Sequence, residues 1–135
     1  MSLIKMAGCV ILKRNSILLL HRIKKDWYEL PGGKIDGNET PEETAKRELR
    51  EELSCDVQIL KTLGSKDFTE DGRNFSYTWI LAKIADGQSP QIGEPEVFNN
   101  FKFIPLGKLT DYKLSTNMQN LAGELKTGSL KFIID

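Results

Sequence analysis

The chain has few residues of the kinds that build disulfide frameworks and zinc sites. Its 135 residues include two cysteines, Cys9 and Cys55, and one histidine. The two cysteines form no CxxC motif, which argues against both a disulfide framework and a Cys/His zinc site. Cys9 lies in an apolar run, so we expect it to be a buried free thiol.

Net charge and long apolar runs are also absent. Lys and Arg number 19 and Asp and Glu number 19, which argues against a broadly basic nucleic-acid surface. No apolar run approaches the length of a membrane span, and no signal-peptide pattern occurs. We therefore expect a cytoplasmic protein with no membrane partner and no extended nucleic-acid surface. The length predicts one domain over residues 1–135, with a symmetric homodimer as the default assembly.

Apolar segments and turn-forming segments alternate along the chain. Strands are predicted over residues 6–13, 17–21, 27–30, 57–63, 75–84 and 98–104. Loops are predicted over 33–39 and 85–95, because both contain glycine and polar residues. A last helix is predicted over 116–126, capped by Ser115 and stopped by Gly128. Together with a helix after residue 40, these elements predict an α/β (α+β layered) domain with a mixed β-sheet.

The helix after residue 40 carries three separate start signals. Thr40 is a favourable N-cap, and Pro41 occupies the first helical position, where its missing N–H costs nothing. Glu43 follows Thr40 by three residues and completes a capping box. Helix-forming residues then continue to Leu53. The sequence therefore predicts a helix over residues 41–53.

Two acids of this helix are placed close to its apolar stripe. At about 100° per residue, Ala45, Leu49 and Leu53 form a stripe about 80° wide that should face the core. On the same wheel Glu52 falls only about 20° outside the stripe, and Glu48 about 60° outside it. A helix that merely solvates its acids would carry them on the opposite face. The pattern therefore indicates chemistry that needs acids beside the core.

Glu48, Glu51 and Glu52 have the spacing i, i+3, i+4, so their carboxylates can converge. Convergence alone is unfavourable, since like charges at i, i+4 cost about 0.2–0.5 kcal/mol per pair. A hard divalent cation such as Mg²⁺ or Mn²⁺ would compensate, because oxygen ligands suit such ions. This interpretation predicts metal-assisted attack on a phosphate ester or anhydride. An ordinary acidic surface helix remains the alternative at this point.

Residues 33–55 resemble the signature of the Nudix hydrolases, the MutT-like family, which is G-x5-E-x7-R-E-U-x-E-E-x-G-U with U aliphatic. Gly33 is followed after five residues by Glu39, and after seven more by Arg47 and the acids of the helix. The upstream segments LLLHR and WYELPGGK also look like this family. The resemblance implies the Nudix fold, in which a mixed β-sheet is sandwiched between helices.

Two positions depart from this signature. Ser54 stands where the family has a glycine, and Cys55 where it has an aliphatic residue. The glycine serves the helix exit, where we expect a positive φ, so serine should cost some stability there. Neither change removes a ligand.

The resemblance implies a role for each polar residue of the motif. The implied catalytic residues are Glu48, Glu51 and Glu52, one of which assists deprotonation of the attacking water. The implied ligands of Mg²⁺ or Mn²⁺ are the same three glutamates and the backbone carbonyl of Gly32. The implied bracing residues of the site are Gly33, Glu39 and Arg47.

The family usually supplies one further acid from outside the motif. In the segment GEPEVFNNFKFIPL both Glu94 and Glu96 are candidates for this ligand. We favour Glu96 because it is closer to the strand predicted over 98–104. A loop acid that only faces water is the alternative for either residue.

The resemblance also implies the substrate class, a nucleoside diphosphate linked to another group. In its small size and its LPGGK segment the chain looks like the members that cleave a (deoxy)nucleoside triphosphate to a monophosphate and pyrophosphate. The alternatives are hydrolysis of ADP-ribose or another nucleotide sugar, hydrolysis of an RNA 5′-end, and a non-catalytic nucleotide-binding module. Trp27 is a candidate for stacking on the base, and Asn117 resembles an asparagine that reads a purine edge in some members. Packing and an ordinary helix start remain the alternatives for these two residues.

Overall fold

The computed structural model describes residues 2–128. In chain order the elements are β1 (Leu3–Lys13), β2 (Ser16–Arg22), β3 (Trp27–Glu29), β4 (Gly32–Lys34), α1 (Pro41–Leu53), β5 (Val57–Glu70), β6 (Arg73–Ile84), β7 (Phe98–Pro105), a 3₁₀ helix (Leu106–Asp111) and α2 (Thr116–Thr127). Every predicted strand and both predicted helices are present. The mixed α+β architecture predicted from the sequence is therefore confirmed.

The strands form one mixed sheet with β1 near its centre. The order along the sheet is β3-β2-β1-β6-β5, with β4 beside β1 and β7 beside β2. The β1–β6 pair is parallel, from Leu3 opposite Asn74 to Ile11 opposite Ala82, and the other pairs are antiparallel. At Met6–Gly8, β1 thereby has β4 on one side and the segment Tyr77–Trp79 of β6 on the other.

Besides an earlier start of β1 and an unpredicted 3₁₀ helix, β4 and β5 differ from the prediction. β4 overlaps the start of the segment that was predicted to be a loop, and it pairs with Met6, Ala7 and Gly8 of β1. Its two glycines give no apolar alternation, so the sequence carried no strand signal there. β5 extends to Glu70 rather than ending at residue 63, because β6 pairs with it along its whole length. β5 lies at the edge of the sheet, where polar residues are tolerated and alternation is weak.

Each helix covers one face of the sheet. Neighbouring residues of a strand point to opposite faces, so the apolar runs of β1, β2 and β6 supply two cores. One core, the α1 core, packs Cys9, Ile11, Leu18, Leu20, Ile80 and Phe98 against Ala45, Leu49 and Leu53. The other, the α2 core, packs Val10, Ile17, Leu19, Tyr77, Trp79 and Ile104 against Met118 and Leu121. The predicted apolar stripe of α1 is confirmed.

The start of α1 follows the predicted capping box. The Thr40 hydroxyl accepts from the Glu43 N–H at 3.1 Å, and the Glu43 carboxylate accepts from the Thr40 N–H at 2.8 Å. Two of the backbone donors at the helix start are thus satisfied by side chains. The observed bounds, Pro41–Leu53, equal the predicted ones.

The end of α1 is held by a left-handed residue and by a loop. Ser54 has φ 57° and ψ 32°, which confirms the positive φ expected at this position. The last carbonyls of the helix accept from the loop that precedes β7: Gln91 N–H bonds Leu53 O, and Gly93 N–H bonds Glu52 O, both at 2.9 Å. The last turn of α1, which carries Glu51 and Glu52, is therefore held by this loop as well as by the helix itself.

Both cysteines are buried free thiols, as predicted for Cys9. Burial raises the pKa of the Cys9 thiol to about 12, with a further contribution from Glu52. Cys55 is also buried in the α1 core, where it takes the place of an aliphatic side chain. Among the elements of residues 2–128, no helix combines the length and the apolar character that a membrane crossing requires.

Candidate active site

A cavity of about 470 Å³ opens between the end of α1, the first turn of α2 and the β5–β6 hairpin. Its wall includes two glutamates of α1, Glu48 and Glu52, and three cationic side chains, Arg22, Lys25 and Lys34. Aromatic residues line other parts of the wall. A cavity of this size suits a small-molecule ligand.

Glu52 is the most enclosed acid of the site, with 3% of its surface exposed. One carboxylate oxygen accepts from the Gly32 backbone N–H at 2.9 Å. Burial raises the pKa of the Glu52 carboxyl well above its ordinary value, and the neighbouring Glu48 raises it further. The observed burial excludes the alternative in which this acid only solvates a surface helix.

The glycines of β4 allow the close approach of α1 to the sheet. A Cβ atom on Gly33 would collide with the Glu48 carboxylate, and one on Gly32 would collide with the Tyr77 hydroxyl and with β1 backbone. Burial raises the pKa of the Glu48 carboxyl as well. A side chain at Gly33 would therefore displace the Glu48 carboxylate from its observed position.

Arg47 connects the loop before α1 to the acids of the helix. It donates two hydrogen bonds to Glu39, at 2.7 and 3.1 Å, and one to the Lys34 carbonyl at 3.1 Å. The same guanidinium donates to Glu48 at 3.0 Å and to the half-exposed Glu51 at 3.2 Å. The Arg47 guanidinium holds the pKa of the Glu39 carboxyl at about 2. The residues predicted to brace the site are therefore brought together.

The three glutamates of α1 are not arranged as a ready metal site. Over residues 2–128, no group of three or more His, Cys, Asp or Glu side chains is placed to hold a metal ion. The contacts explain this arrangement, since Arg47 draws Glu48 and Glu51 while the Gly32 N–H holds Glu52. The donor set is nevertheless made only of oxygen atoms, which is the set that Mg²⁺ and Mn²⁺ prefer.

The two acids predicted outside the motif lie in different places. Glu94 lines the cavity, whereas Glu96 is exposed and does not line it. The chain turns here, because the Glu94 carbonyl accepts from the N–H groups of Val97 and Phe98, both at 3.0 Å. Glu96 was favoured because it is closer in sequence to the strand predicted over 98–104. The structure instead places Glu94 on the cavity wall, so closeness in sequence was not a valid guide.

The two predicted substrate residues both line the cavity. The Trp27 indole N–H donates to Glu29 at 2.8 Å, and Glu29 also accepts two bonds from Arg22, at 2.7 and 2.9 Å. Asn117 lies in the first turn of α2 and is 6% exposed. Its side-chain oxygen accepts from the Trp79 indole N–H at 2.9 Å.

The sequence matches the profile of the NUDIX domain over residues 3–124. The chain belongs to the Nudix family. Enzymes of this family that are named diphosphatases or pyrophosphohydrolases act on phosphoric anhydride bonds, and the family generally uses divalent metal ions. The family and the enzyme class predicted from the sequence are confirmed.

Individual Nudix relatives differ in the substrates for which they are named. An 8-oxo-dGTP diphosphatase of Proteus vulgaris is 42% identical over 79 residues, which is 56% of this chain and 70% of that protein. An RNA pyrophosphohydrolase of a Nitratiruptor species is 31% identical over 100 residues, covering 64% of each protein. The crystal structure of a MutT NUDIX hydrolase from Burkholderia pseudomallei superposes with a TM-score of 0.84 at 23% identity, covering 93% of this chain and 99% of that one. The last comparison supports the fold.

Several residues of this Nudix cavity were not predicted as site residues. Arg22 and Glu29 are part-buried and come from neighbouring strands β2 and β3. Their opposite charges, one directly after a predicted strand and one within the next, were the available signal. Phe68 and Phe75 stack with ring centroids 5.2 Å apart on the β5–β6 hairpin. Phe68 lies in a part of β5 that the sequence did not identify as a strand.

Proposed function

We propose that this Nudix chain is an Mg²⁺-dependent pyrophosphohydrolase that cleaves a (deoxy)nucleoside triphosphate to a monophosphate and pyrophosphate. The observation that carries the proposal is the buried Glu52 carboxylate, held by the Gly32 N–H at 2.9 Å on the wall of a cavity of about 470 Å³. A buried acid beside a second acid is unfavourable in a structural helix, and a bound cation would remove that cost.

The proposed ligands of Mg²⁺ or Mn²⁺ are the carboxylates of Glu48, Glu51 and Glu52 and the backbone carbonyl of Gly32. Glu94 and Glu96 remain the candidates for one further carboxylate, and the place of Glu94 on the cavity wall favours it. A bound divalent ion would neutralise polyphosphate charge and activate a water molecule. The Glu48 and Glu51 carboxylates would have to turn from Arg47 toward the ion.

The chain's own residues would bind and orient the substrate. Arg22, Lys25 and Lys34 bring positive charge to the cavity wall, which suits the phosphates. Trp27 is proposed to stack on the base and Asn117 to hydrogen-bond to its edge. One of the three α1 glutamates would accept the proton of the attacking water. Catalysis would then consist of positioning and electrostatic stabilisation, without a covalent intermediate.

A second candidate function is hydrolysis of an RNA 5′-end. The similarity to the RNA pyrophosphohydrolase of the Nitratiruptor species supports it, because such a substrate also presents a 5′-polyphosphate. Hydrolysis of ADP-ribose or another nucleotide sugar needs the same acids. A non-catalytic module is disfavoured, since all three motif glutamates are present. A cytoplasmic location and a homodimer complete the proposal, and size-exclusion chromatography tests the second.

The deciding experiment is hydrolysis of a nucleotide panel with Mg²⁺, with separation of the products. The panel contains the ordinary nucleoside triphosphates, 8-oxo-dGTP, ADP-ribose, a diadenosine polyphosphate and a 5′-triphosphorylated RNA. We expect a monophosphate and pyrophosphate from a nucleoside triphosphate. Cleavage of ADP-ribose or RNA alone would contradict the proposed substrate, and no cleavage of any compound would contradict the proposed activity. The Glu52→Gln variant is the control against a contaminating phosphatase.

A further inference from the structure

A buried hydrogen bond joins the sheet to the residue of α2 that faces the cavity. Trp79 on β6 is 1% exposed, and its indole N–H donates to the Asn117 side-chain oxygen at 2.9 Å. The two residues are 38 positions apart in sequence. Trp79 belongs to the α2 core, on the face of the sheet opposite α1.

The chemistry of the indole determines which way round the amide stands. An indole nitrogen donates a hydrogen bond and never accepts one, so the Asn117 oxygen must face Trp79. The opposite orientation would bring two donors together and leave a buried indole N–H without an acceptor, which is strongly disfavoured. The Asn117 side-chain nitrogen therefore points away from Trp79.

That nitrogen is free to meet a ligand. In the part of the chain that the structure describes, no protein group accepts from it, yet no fully buried side-chain nitrogen or oxygen lacks a partner. The Asn117 nitrogen must then be accessible, and the open space that Asn117 lines is the cavity. The side chain presents two N–H donors to whatever occupies that space.

The strands on both sides of Trp79 place no side chain directly beside it. Glycine is its partner on each neighbouring strand, Gly8 on β1 and Gly64 on β5. No side chain from these two positions competes with the indole for space on that face of the sheet. Because the indole is 1% exposed and bonded to Asn117, its burial and this hydrogen bond fix the direction of its N–H.

We propose that Trp79 is a positioning residue that fixes the Asn117 amide with its N–H₂ group toward the cavity, so that this wall selects a ligand edge carrying hydrogen-bond acceptors. The inference rests on the proposed function for the class of ligand, a nucleotide. A base with a keto oxygen at position 6 would pair with the amide, whereas an amino group at that position would meet a like donor. Without the indole bond the amide can turn, and the preference is lost.

The test compares two ligands that differ mainly at this edge. Dissociation constants for dIMP, with a 6-keto group, and dAMP, with a 6-amino group, are measured calorimetrically without metal. The wild-type protein is expected to bind dIMP about tenfold more tightly, the value of one buried hydrogen bond. Trp79→Phe keeps an aromatic ring and removes the donor, and it should reduce the ratio to about twofold or less.

Met118→Leu is the matched control, because Met118 is fully buried beside Asn117 on α2 and is exchanged without loss of a polar group. It should leave the dIMP to dAMP ratio unchanged even if stability falls. If Trp79 had only a structural role, Trp79→Phe would weaken the binding of both nucleotides equally. The ratio of their dissociation constants would then stay the same. The inference would be overturned if the wild-type protein bound the two nucleotides equally or bound neither. It would also be overturned if the ratio of dissociation constants were unchanged in Trp79→Phe.

A second measurement covers the case in which Trp79→Phe fails to fold. In the ¹H–¹⁵N spectrum of the wild-type protein, the Asn117 side-chain amide is assigned by its absence in Asn117→Ser. It should shift with dIMP and not with dAMP, and equal shifts would overturn the inference. Hydrolysis of dITP and dATP separates the two proposals. A binding preference without hydrolysis contradicts only the proposed function, and hydrolysis without the preference contradicts only this inference.

Discussion

Replacing Ser54 by glycine should stabilise the protein. Ser54 has a left-handed backbone, with φ 57°, at the end of α1. That conformation costs a residue with a Cβ atom about 1–2 kcal/mol. Glycine removes that cost, but it also gives the unfolded chain more conformational freedom, which lowers stability by about 0.4–1 kcal/mol. The Ser54 hydroxyl makes no hydrogen bond with the rest of residues 2–128, so little else changes and the net gain is about 1 kcal/mol.

The gain converts into a measurable shift of the melting temperature. At about 2.1 cal/mol/K per residue, unfolding of 135 residues has an entropy near 0.28 kcal/mol/K, so 1 kcal/mol corresponds to about 3–4 °C. Differential scanning calorimetry would measure the shift, and urea unfolding should show a higher midpoint with an unchanged slope. Ser54→Ala keeps the Cβ atom and removes the hydroxyl, so it should give no such gain. An equal rise in Ser54→Ala, or no rise in Ser54→Gly, would refute the argument from backbone conformation.

Three further predictions concern the site. Glu52→Gln keeps an acceptor for the Gly32 N–H but removes a buried charge. Turnover should fall at least about 100-fold while the melting temperature is unchanged or rises. Near-full activity would contradict the assignment of Glu52 as a ligand. Raising Mg²⁺ from zero to several millimolar without nucleotide should raise the melting temperature of the wild-type protein more than that of Glu52→Gln, since an ion that binds only the folded state stabilises it. Glu39→Gln should lower the melting temperature at pH 7, and the difference should shrink at pH 3. The pKa of Glu39 falls to about 2 on folding beside Arg47, so its stabilisation is present above its unfolded value and is lost as the pH approaches 2. An equal difference at both pH values would contradict this.

Local signals allowed α1 to be predicted to the residue. Thr40, Pro41 and Glu43 define its start through contacts within one turn, and the departure at Ser54 correctly marked a positive φ. β4 had no local signal, because its glycines matter only through the close approach of Glu48 and Tyr77. Such an approach is set by tertiary packing and cannot be read from spacing along the chain.

The same distinction applies to the candidate site. The i, i+3, i+4 placement of the three α1 glutamates follows from helical spacing and was predictable. The contacts that draw their carboxylates apart, to Arg47 and to the Gly32 N–H, could not be predicted from that spacing. The choice between Glu94 and Glu96 depends on how one loop turns, and the nearer residue in sequence is the more exposed one. The contact between Trp79 and Asn117 joins elements 38 residues apart, so no pattern in the sequence indicated it.

The two cores carry different parts of the proposed site. The acids belong to a helix that packs on one face of the sheet, and Asn117 belongs to a helix that packs on the other. Under the proposed role of Asn117, substitutions in the α2 core would change which nucleotide this chain accepts without altering the acids of α1. The residues that would set base preference and the residues that would carry the chemistry could then be varied separately.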